Sequence, residues 1–482
     1  MAFKHGVYTG EIPTSIVAPV STDAALPVYF GTAPVHLASD PAAANRPVLA
    51  YTYSEAVAAL GYSDDWEKYT LCEAMYAHFN VFNRCPIVLV NVLDLTTHKT
   101  AVAVAEKNID SNDQVVLTDP VILSSLVVKK TQNGSALVKG TDYDAARDDD
   151  GQTVVSILAG GALDGELTCF IGYDKVNPAA VTASDIVGGI DANTGKKKGL
   201  EVLNDIFPIL RLVPGNVLAP GWSDTASVAA VMKAKASLIN ELFVAEAIVD
   251  IPTGTAVKYT DAPAWKNNNN YTSELEIVGW PMGKLGDKKF HMSTIIMGSM
   301  MVTDSNNDDV PSISPSNKDA GINGICLASG DEVVMGLGEV NYLNGNGIVT
   351  AFNFVNGWVV WGDNTGCFPG NTDPKDMFIP IRRMFNWMRN NFILTFWQKV
   401  DDPMNRRLIH TVVDTYNIML NGLAAAGKIL GGRIEFNDAE NPVTNLISGK
   451  LKFHIYHAPP PPAQEISADF EYDPSYFNNL FS

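Results

Sequence analysis

The chain has 482 residues, with 53 acidic against 34 basic side chains and a formal net charge of −19. That balance excludes a dedicated nucleic-acid binder, whose phosphate contacts need a basic face. Hydrophobic residues make up 46% and charged residues 18%, as in a globular chain, and the length predicts two to four domains.

The opening residues, Met1-Ala2-Phe3-Lys4-His5-Gly6, lack the apolar region of a secretory leader. No apolar run reaches the ~18 residues of a membrane helix. Between Gly6 and Val20, apolar residues are scattered among Pro13 and Pro19. Prolines forbid a helix there and favour extended chain. Such a segment cannot bury itself; it is an edge strand of its own domain or an arm that docks on a neighbour. Ala25 to Thr32 predicts a strand. Ser54 is a candidate cap for a short helix through Leu60, ended by Gly61. Trp66, Met75, Phe79 and Phe82 sit near helical spacing and predict a second helix, stopped at Cys85-Pro86. Ile87–Leu93 is apolar almost throughout, as in a strand covered on both faces.

Between Thr96 and Val181 short β-type runs alternate with turn signals such as Asn133-Gly134 and Asp150-Gly151, which predicts an all-β, sandwich-like insert over 96–181. An α/β rhythm then resumes. Helices are predicted at Gly199–Ile206, Asp224–Leu242 and from Ser293, and strands at Phe207–Val213, Val244–Ile251 and Leu275–Trp280. This alternation predicts a mostly parallel sheet with helices on both faces. Past an Asn/Asp/Gly-rich stretch from Asp304 to Gly370, two apolar stripes predict helices over Ile381–Gln398 and Asn405–Leu430.

The tail reads as hairpin, spacer and strand. Leu451, Phe453 and Ile455 alternate with polar residues, and Pro459 to Pro462 form a stiff spacer of ~3.1 Å per residue. Beyond it, Ile466, Ala468, Phe470 and Tyr472 alternate with Glu465, Ser467, Asp469 and Glu471. An amphipathic strand placed after a spacer needs a sheet to join, and two extended ends suit strand addition between subunits. The expected class is α/β (α+β in total). Its parts are an N-terminal arm over 1–22, a core over 23–95 and 182–305, the β insert, a C-terminal α+β domain over 306–460 and a C-terminal arm over 461–482.

Signatures of chemistry are sparse. No G-x-S-x-G surrounds any serine. Asp191-Ala192-Asn193-Thr194-Gly195-Lys196 has Ile190 where a P-loop needs its leading glycine, and no Ser or Thr follows Lys196. His454 and His457 are three apart, which on a strand puts them on opposite faces. Asp304-Ser305-Asn306-Asn307-Asp308 lacks the glycine and glutamate of a calcium loop. The five cysteines, Cys72, Cys85, Cys169, Cys326 and Cys367, show no C-x-x-C pair and predict reduced structural thiols. No catalytic residue, metal or cofactor is expected.

Several segments, in order along the chain, resemble the tail sheath proteins of contractile-tailed phages and related phage-tail-like injection particles. These are Gly6-Val7-Tyr8 with Glu11-Ile12-Pro13, Ser314-Pro315-Ser316-Asn317-Lys318 with Gly321-Ile322-Asn323-Gly324-Ile325, Trp358-Val359-Val360-Trp361-Gly362, and Ile379-Pro380-Ile381-Arg382-Arg383-Met384-Phe385. The insert at 96–181 departs from that pattern. The resemblance implies a structural subunit of a virion tail or phage-tail-like particle, assembled in the host cytoplasm. It implies six-fold rings of the chain stacked helically around a tail tube, with baseplate and tail terminator proteins as further partners, and neither nucleic-acid binding nor direct membrane insertion. It implies arms that add strands to neighbouring subunits. The arm residues expected to make those contacts are Val7, Tyr8, Ile12, Val17 and Val20 at one end and Ile466, Phe470 and Tyr472 at the other. Arg382 and Arg383, basic in an acidic chain, are candidates to face the tube. The rival readings are an α/β hydrolase-type enzyme and another self-assembling surface or filament protein.

Overall fold

The computed structural model describes residues 24–148 and 150–481. The N-terminal arm residues Val7, Tyr8, Ile12, Val17 and Val20 lie outside the described residues.

At the centre is a six-stranded sheet built from β1 (Pro27–Gly31), β2 (Pro47–Ala50), β3 (Ile87–Asn91), β4 (Asn216–Leu218), β5 (Glu246–Asp250) and β6 (Glu276–Gly279), in the order β6-β5-β4-β1-β3-β2. All neighbours are parallel except β2, which runs antiparallel to β3 at the edge. Alternate side chains enter two separate cores. Val28, Phe30, Val88, Val90, Val217, Ala247, Val249 and Val278 face one, while Tyr29, Leu89, Leu218, Ile248 and Ile277 face the other. The period of two and burial on both sides explain why β1, β3 and β5 read as near-continuous apolar runs.

Helices cover each face. The first core is closed by Leu203 and Ile206 and by α3 (Ala226–Ala236) through Val228, Ala229 and Met232. The second is closed by α1 (Tyr53–Leu60), α2 (Leu71–Tyr76, continued by a π-helical turn over Ala77–Val81) and α4 (Met292–Ser305). Capping of α1 falls to Thr52 and not to Ser54: the Thr52 hydroxyl accepts from Glu55 N at 3.2 Å, and the Glu55 carboxylate accepts from Thr52 N at 3.3 Å. This reciprocal pair outcompetes a serine already inside the first turn. Gly61 ends the helix at φ +73°, a conformation that a Cβ disfavours.

Three sequence expectations shift. Trp66 precedes α2 and packs on Phe290 at 5.0 Å between ring centres. The run predicted as a strand at Phe207–Val213 is the end of a helix, Leu203–Leu210, closed by Arg211 in the left-handed region, and the strand comes later at β4. Leu203, Ile206 and Phe207 form a helical stripe that a short apolar run conceals. Helix α3 stops at Ala236, because Asn240 and Glu241 take positive φ and Ile239 N bonds Phe243 O at 2.8 Å.

The segment between β3 and β4 contains two three-stranded antiparallel sheets. One joins Lys99–Asn108, Thr168–Val176 and Val127–Lys129; the other joins Gln114–Leu117, Thr153–Ile157 and Tyr143–Arg147. They share a core of their own that includes Val115, Val128, Val155, Cys169 and Ile171. Its two ends meet where Asn177 N bonds His98 O at 2.9 Å. The Arg147 guanidinium donates to His36 O at 2.9 Å, a charge-assisted bond that ties these sheets to the central unit, and to Val121 O at 2.6 Å within them. Burial, with the Arg147 charge adding to it, pushes the His36 imidazole down to about 3.

The C-terminal part rests on two long helices, α5 (Ile379–Phe396) and α6 (Arg406–Ala425). The Asn405 side chain caps α6 by accepting from Leu408 N at 3.0 Å.

Close packing of α4 is seen at Gly298, where an added Cβ would lie 2.1 Å from the Phe82 ring. Gly298→Ala is expected to lose about 1–2 kcal/mol net, overpacking outweighing the better helix propensity. Equilibrium urea unfolding checks this, and Gly298→Ala with Phe82→Leu should recover most of the loss.

Candidate assembly interface

The C-terminal hairpin pairs β7 (Gly432–Glu435) with β8 (His454–His457) in antiparallel register, with Arg433 opposite Tyr456 and Ile434 opposite Ile455. Helix α6 supports it from beneath: Val412, Tyr416, Leu420 and Leu423 join Met384, Trp387 and Met388 of α5 and Ile434 of the hairpin in one core. Tyr416 OH donates to Met388 O at 3.2 Å, which ties the two helices. Between the strands, Asn441 holds the connection closed by donating to Lys452 O and accepting from Lys452 N, both at 2.8 Å. The Arg433 guanidinium lies 4.1 Å over the Tyr456 ring.

The two edges of this sheet differ. Ile434 N–H points at α6 and donates to Asn417 Oδ1 at 3.1 Å. The Ile434–Ile455 pair is therefore a non-hydrogen-bonded one, and the backbone groups of Ile455 point away from β7. On that outer side β8 has no strand partner among the described residues. An edge of unpaired N–H and C=O groups is a template for another strand.

The segment predicted as a strand beyond the prolines has no regular structure through residues 458–473. Ile466, Phe470 and Tyr472 are 90%, 98% and 74% exposed. Among the described residues the alternating pattern joins no sheet, so its periodicity does not become a strand here. A short 3-10 helix, Pro474–Phe481, closes the described chain.

Arg382 and Arg383 do not present charge outward. Arg383 is 3% exposed and bridges Asp304 at the end of α4, with Nη1 to Oδ1 at 3.1 Å and a second bond from Nη2 to Oδ2. Arg382 donates to Asp376 at 3.2 Å and to Asn386 at 2.9 Å. Asn386 donates to the buried carboxylate of Glu246 on β5. Asn390 donates to Val244 O at 2.8 Å and accepts from Val244 N at 3.1 Å. The polar face of α5 is thus spent on the end of the central sheet, which corrects the expectation that these arginines face a tube.

A second buried cluster escaped sequence reading, because its members lie far apart in the chain. Past the C-terminal end of β5, Asp250 accepts from Ser293 Oγ at 2.5 Å, Ser293 N at 2.8 Å and Ser223 Oγ at 3.1 Å. His291 Nδ1 is 2.7 Å from Glu73 Oε2 on α2, and His291 N donates to Glu73 Oε1 at 2.7 Å. Burial alone would push the His291 imidazole down; the Glu73 carboxylate, with Asp250 and Asp224 beyond it, overcomes this and holds it up at about 9. The carboxylates are engaged by these neighbours, at a position where open α/β sheets commonly bind ligands.

The remaining motifs resolve into local structure. His454 lies 3.3 Å from Glu440, whereas the His457 ring packs 4.0 Å from Phe385. Among the described residues no group of three or more His, Cys, Asp or Glu could hold a metal ion, and no helix is long and apolar enough to cross a membrane. The lysines after Asp191 are paired, Lys197 with Asp205 at 2.5 Å and Lys198 with Asp191 at 3.2 Å.

No protein-family model matches the chain. It is 26% identical over 490 residues to the tail sheath protein of Burkholderia phage BcepMu, covering 99% of this chain and 98% of that one. Along nearly its whole length this chain is similar to tail sheath proteins. A prophage major tail sheath protein of Pseudomonas aeruginosa (strain UCBPP-PA14) is 24% identical over 302 residues, 61% of this chain and 74% of that one. The fold is shared with the sheath of the extracellular contractile injection system PVC in its contracted state (TM-score 0.59, 15% identity, 98% and 99% of the two chains). It is also shared with the sheath tail protein of Desulfitobacterium hafniense (TM-score 0.51, 12% identity, 89% and 93%). Its role is that of a structural sheath subunit.

Two outcomes are expected. Arg383→Ala should lose ~3–5 kcal/mol in chemical denaturation, since Asp304 is left buried and unpaired, and Arg383→Met with Asp304→Leu should recover most of it. The raised His291 pKa implies stability that is full below its ordinary value and lost as pH rises through about 9. The stability gap between this chain and His291→Gln should therefore shrink by roughly 2–3 kcal/mol between pH ~6 and pH ~10, read by urea unfolding.

Proposed function

We propose that this sheath subunit polymerises into stacked six-fold rings around a tail tube and contracts to drive that tube through a target envelope. The observation that carries the assembly reading is the coexistence, in one chain, of a hairpin edge without a strand partner and an amphipathic arm exposed at Ile466, Phe470 and Tyr472. Backbone hydrogen bonds along β8 would hold the arm, and alternate apolar side chains would set its register. At the other end, Val7, Tyr8, Ile12, Val17 and Val20 are proposed to dock in the same manner on a second neighbour. Head-to-tail contacts of this kind do not close on themselves and generate helical filaments.

In this reading, 1–22 and 461–482 act as arms, 23–95 with 182–305 as the core, 96–181 as an insert and 306–460 as the C-terminal domain. Contraction draws on better contacts in the final state and not on catalysis. The buried links from α5 to Asp304 and Glu246 support movement of core and C-terminal domain as one body, with the arms as the compliant parts. Tail tube, baseplate and terminator proteins are the proposed partners, and the proposed location is a virion tail or phage-tail-like particle put together in the host cytoplasm.

Negative-stain electron microscopy of the purified protein tests the assembly reading. The intact chain should form striated tubes or stacked rings. Deletion of residues 1–20 or of 463–482 should leave a cooperatively unfolding monomer that builds neither. Normal tubes from either deletion would sink the arm mechanism.

A further inference from the structure

The four consecutive prolines Pro459–Pro462 follow directly on β8 and Ala458, and a spacer alone could be made of any residues. We infer that they form a rod that bars the arm from its own hairpin, so that the acidic strand Glu465–Tyr472 pairs only with β8 of a second copy. This rests on the arm-and-hairpin reading above and adds to it a device that decides between pairing within the chain and pairing between chains.

The argument is one of reach. An arm attached to the strand it is meant to cover is at a very high effective concentration for that strand, and self-closure would silence the edge before any neighbour arrived. Closing antiparallel within the chain requires a reversal soon after His457, and hairpin connections are typically two to five residues long. Four consecutive prolines favour the polyproline II conformation, in which the run would extend for about 12 Å. The reversal is thereby displaced to Ala463–Glu465. At ~3.3 Å per strand residue, the returning chain would spend about four residues, Ile466 to Asp469, alongside the rod. Prolines have no N–H to donate, so that stretch would gain little. Only Phe470 to Tyr472 would reach β8, and Ile466 would lie outside the sheet. Parallel closure would need a crossover of a dozen or more residues, which residues 458–465 do not supply.

Two further observations fix the root of the arm. Pro459 is buried, and Gln464 Nε2 donates to Asn364 Oδ1 at 3.3 Å, outside the hairpin. The rod is therefore seated at both ends against its own subunit and delivers the arm away from β8. The arm carries Glu465, Asp469, Glu471 and Asp473. On the hairpin, Arg433 and Lys452 are already paired with Glu435 at 2.6 Å and Glu440 at 3.1 Å, so backbone bonds along β8, and not charge, would hold the arm of the second copy.

The test replaces Pro459–Pro462 by Gly-Ser-Gly-Ser in the full chain. It compares this variant, the unaltered chain and a 463–482 deletion at concentrations where each is monomeric. Amide hydrogen exchange is read at Ile455, and binding is read with a synthetic peptide of residues 464–482. The expected result is exchange at Ile455 slowed at least ~10-fold in the Gly/Ser variant, independently of protein concentration. Its peptide binding should be weakened at least tenfold relative to the unaltered chain, and its tubes lost. Unchanged exchange together with unchanged peptide binding would overturn the rod inference while leaving the arm reading intact. If the deleted chain fails to bind the peptide and still builds tubes, the arm reading falls and the rod inference with it.

Discussion

Burial of both faces of the central sheet is the constraint from which the rest of this molecule follows. Five parallel strands with side chains buried on each side cannot stand alone, so α3 must cover one face and α1, α2 and α4 the other. Once α4 is packed against that sheet, Asp304 in its last turn becomes a buried carboxylate, and the penalty of leaving it unpaired selects Arg383 on α5. Through that pair, and through Asn386 and Glu246, the position of α5 is set by the sheet. The position of α5 sets α6, and α6 sets the hairpin whose outer edge has no strand partner among the described residues.

This chain of dependence separates rigid parts from compliant ones. The hairpin has little freedom relative to the core because every intervening step is a buried contact. The arm has much, because past Gln464 its side chains make few contacts with their own subunit. A filament built from such subunits keeps its connectivity in flexible links and its shape in stiff ones, so large rearrangements of the lattice need not unfold any domain.

Much of the fold was legible because it depends on period and on breakers. The strands at Ile87, Glu246 and Glu276 stood out as apolar runs, and α5 and α6 as stripes. The errors have common causes. Phe207–Leu210 was mistaken for a strand because a short apolar run carries no period of its own, and Ser54 because a cap is decided by the reciprocal partner, here Glu55 on Thr52. Arg382 and Arg383 were misjudged because charge in a sequence does not reveal burial; their partners Asp304 and Asp376 are fixed only by tertiary packing. The His291–Glu73–Asp250 cluster had no signal, since it joins three separate elements of the chain at the sheet's C-terminal ends. The alternation at Ile466, Phe470 and Tyr472 is legible as a pattern, yet these side chains are exposed and in no strand, because a period of two specifies a face only where a sheet is there to join.

The antiparallel segment between β3 and β4 leaves and rejoins the central unit at adjacent points, where Asn177 N bonds His98 O. It is held there by the Arg147 bond to His36 O and by Ile122 and Val176, which are buried in the core of the central sheet. Exchange of this body for another therefore has to keep an apolar contact at those two positions and a donor for His36 O. A lattice of such subunits would repeat whatever the segment carries at every position, so its surface away from Ile122 and Val176 is the natural place to graft a foreign peptide at high copy number.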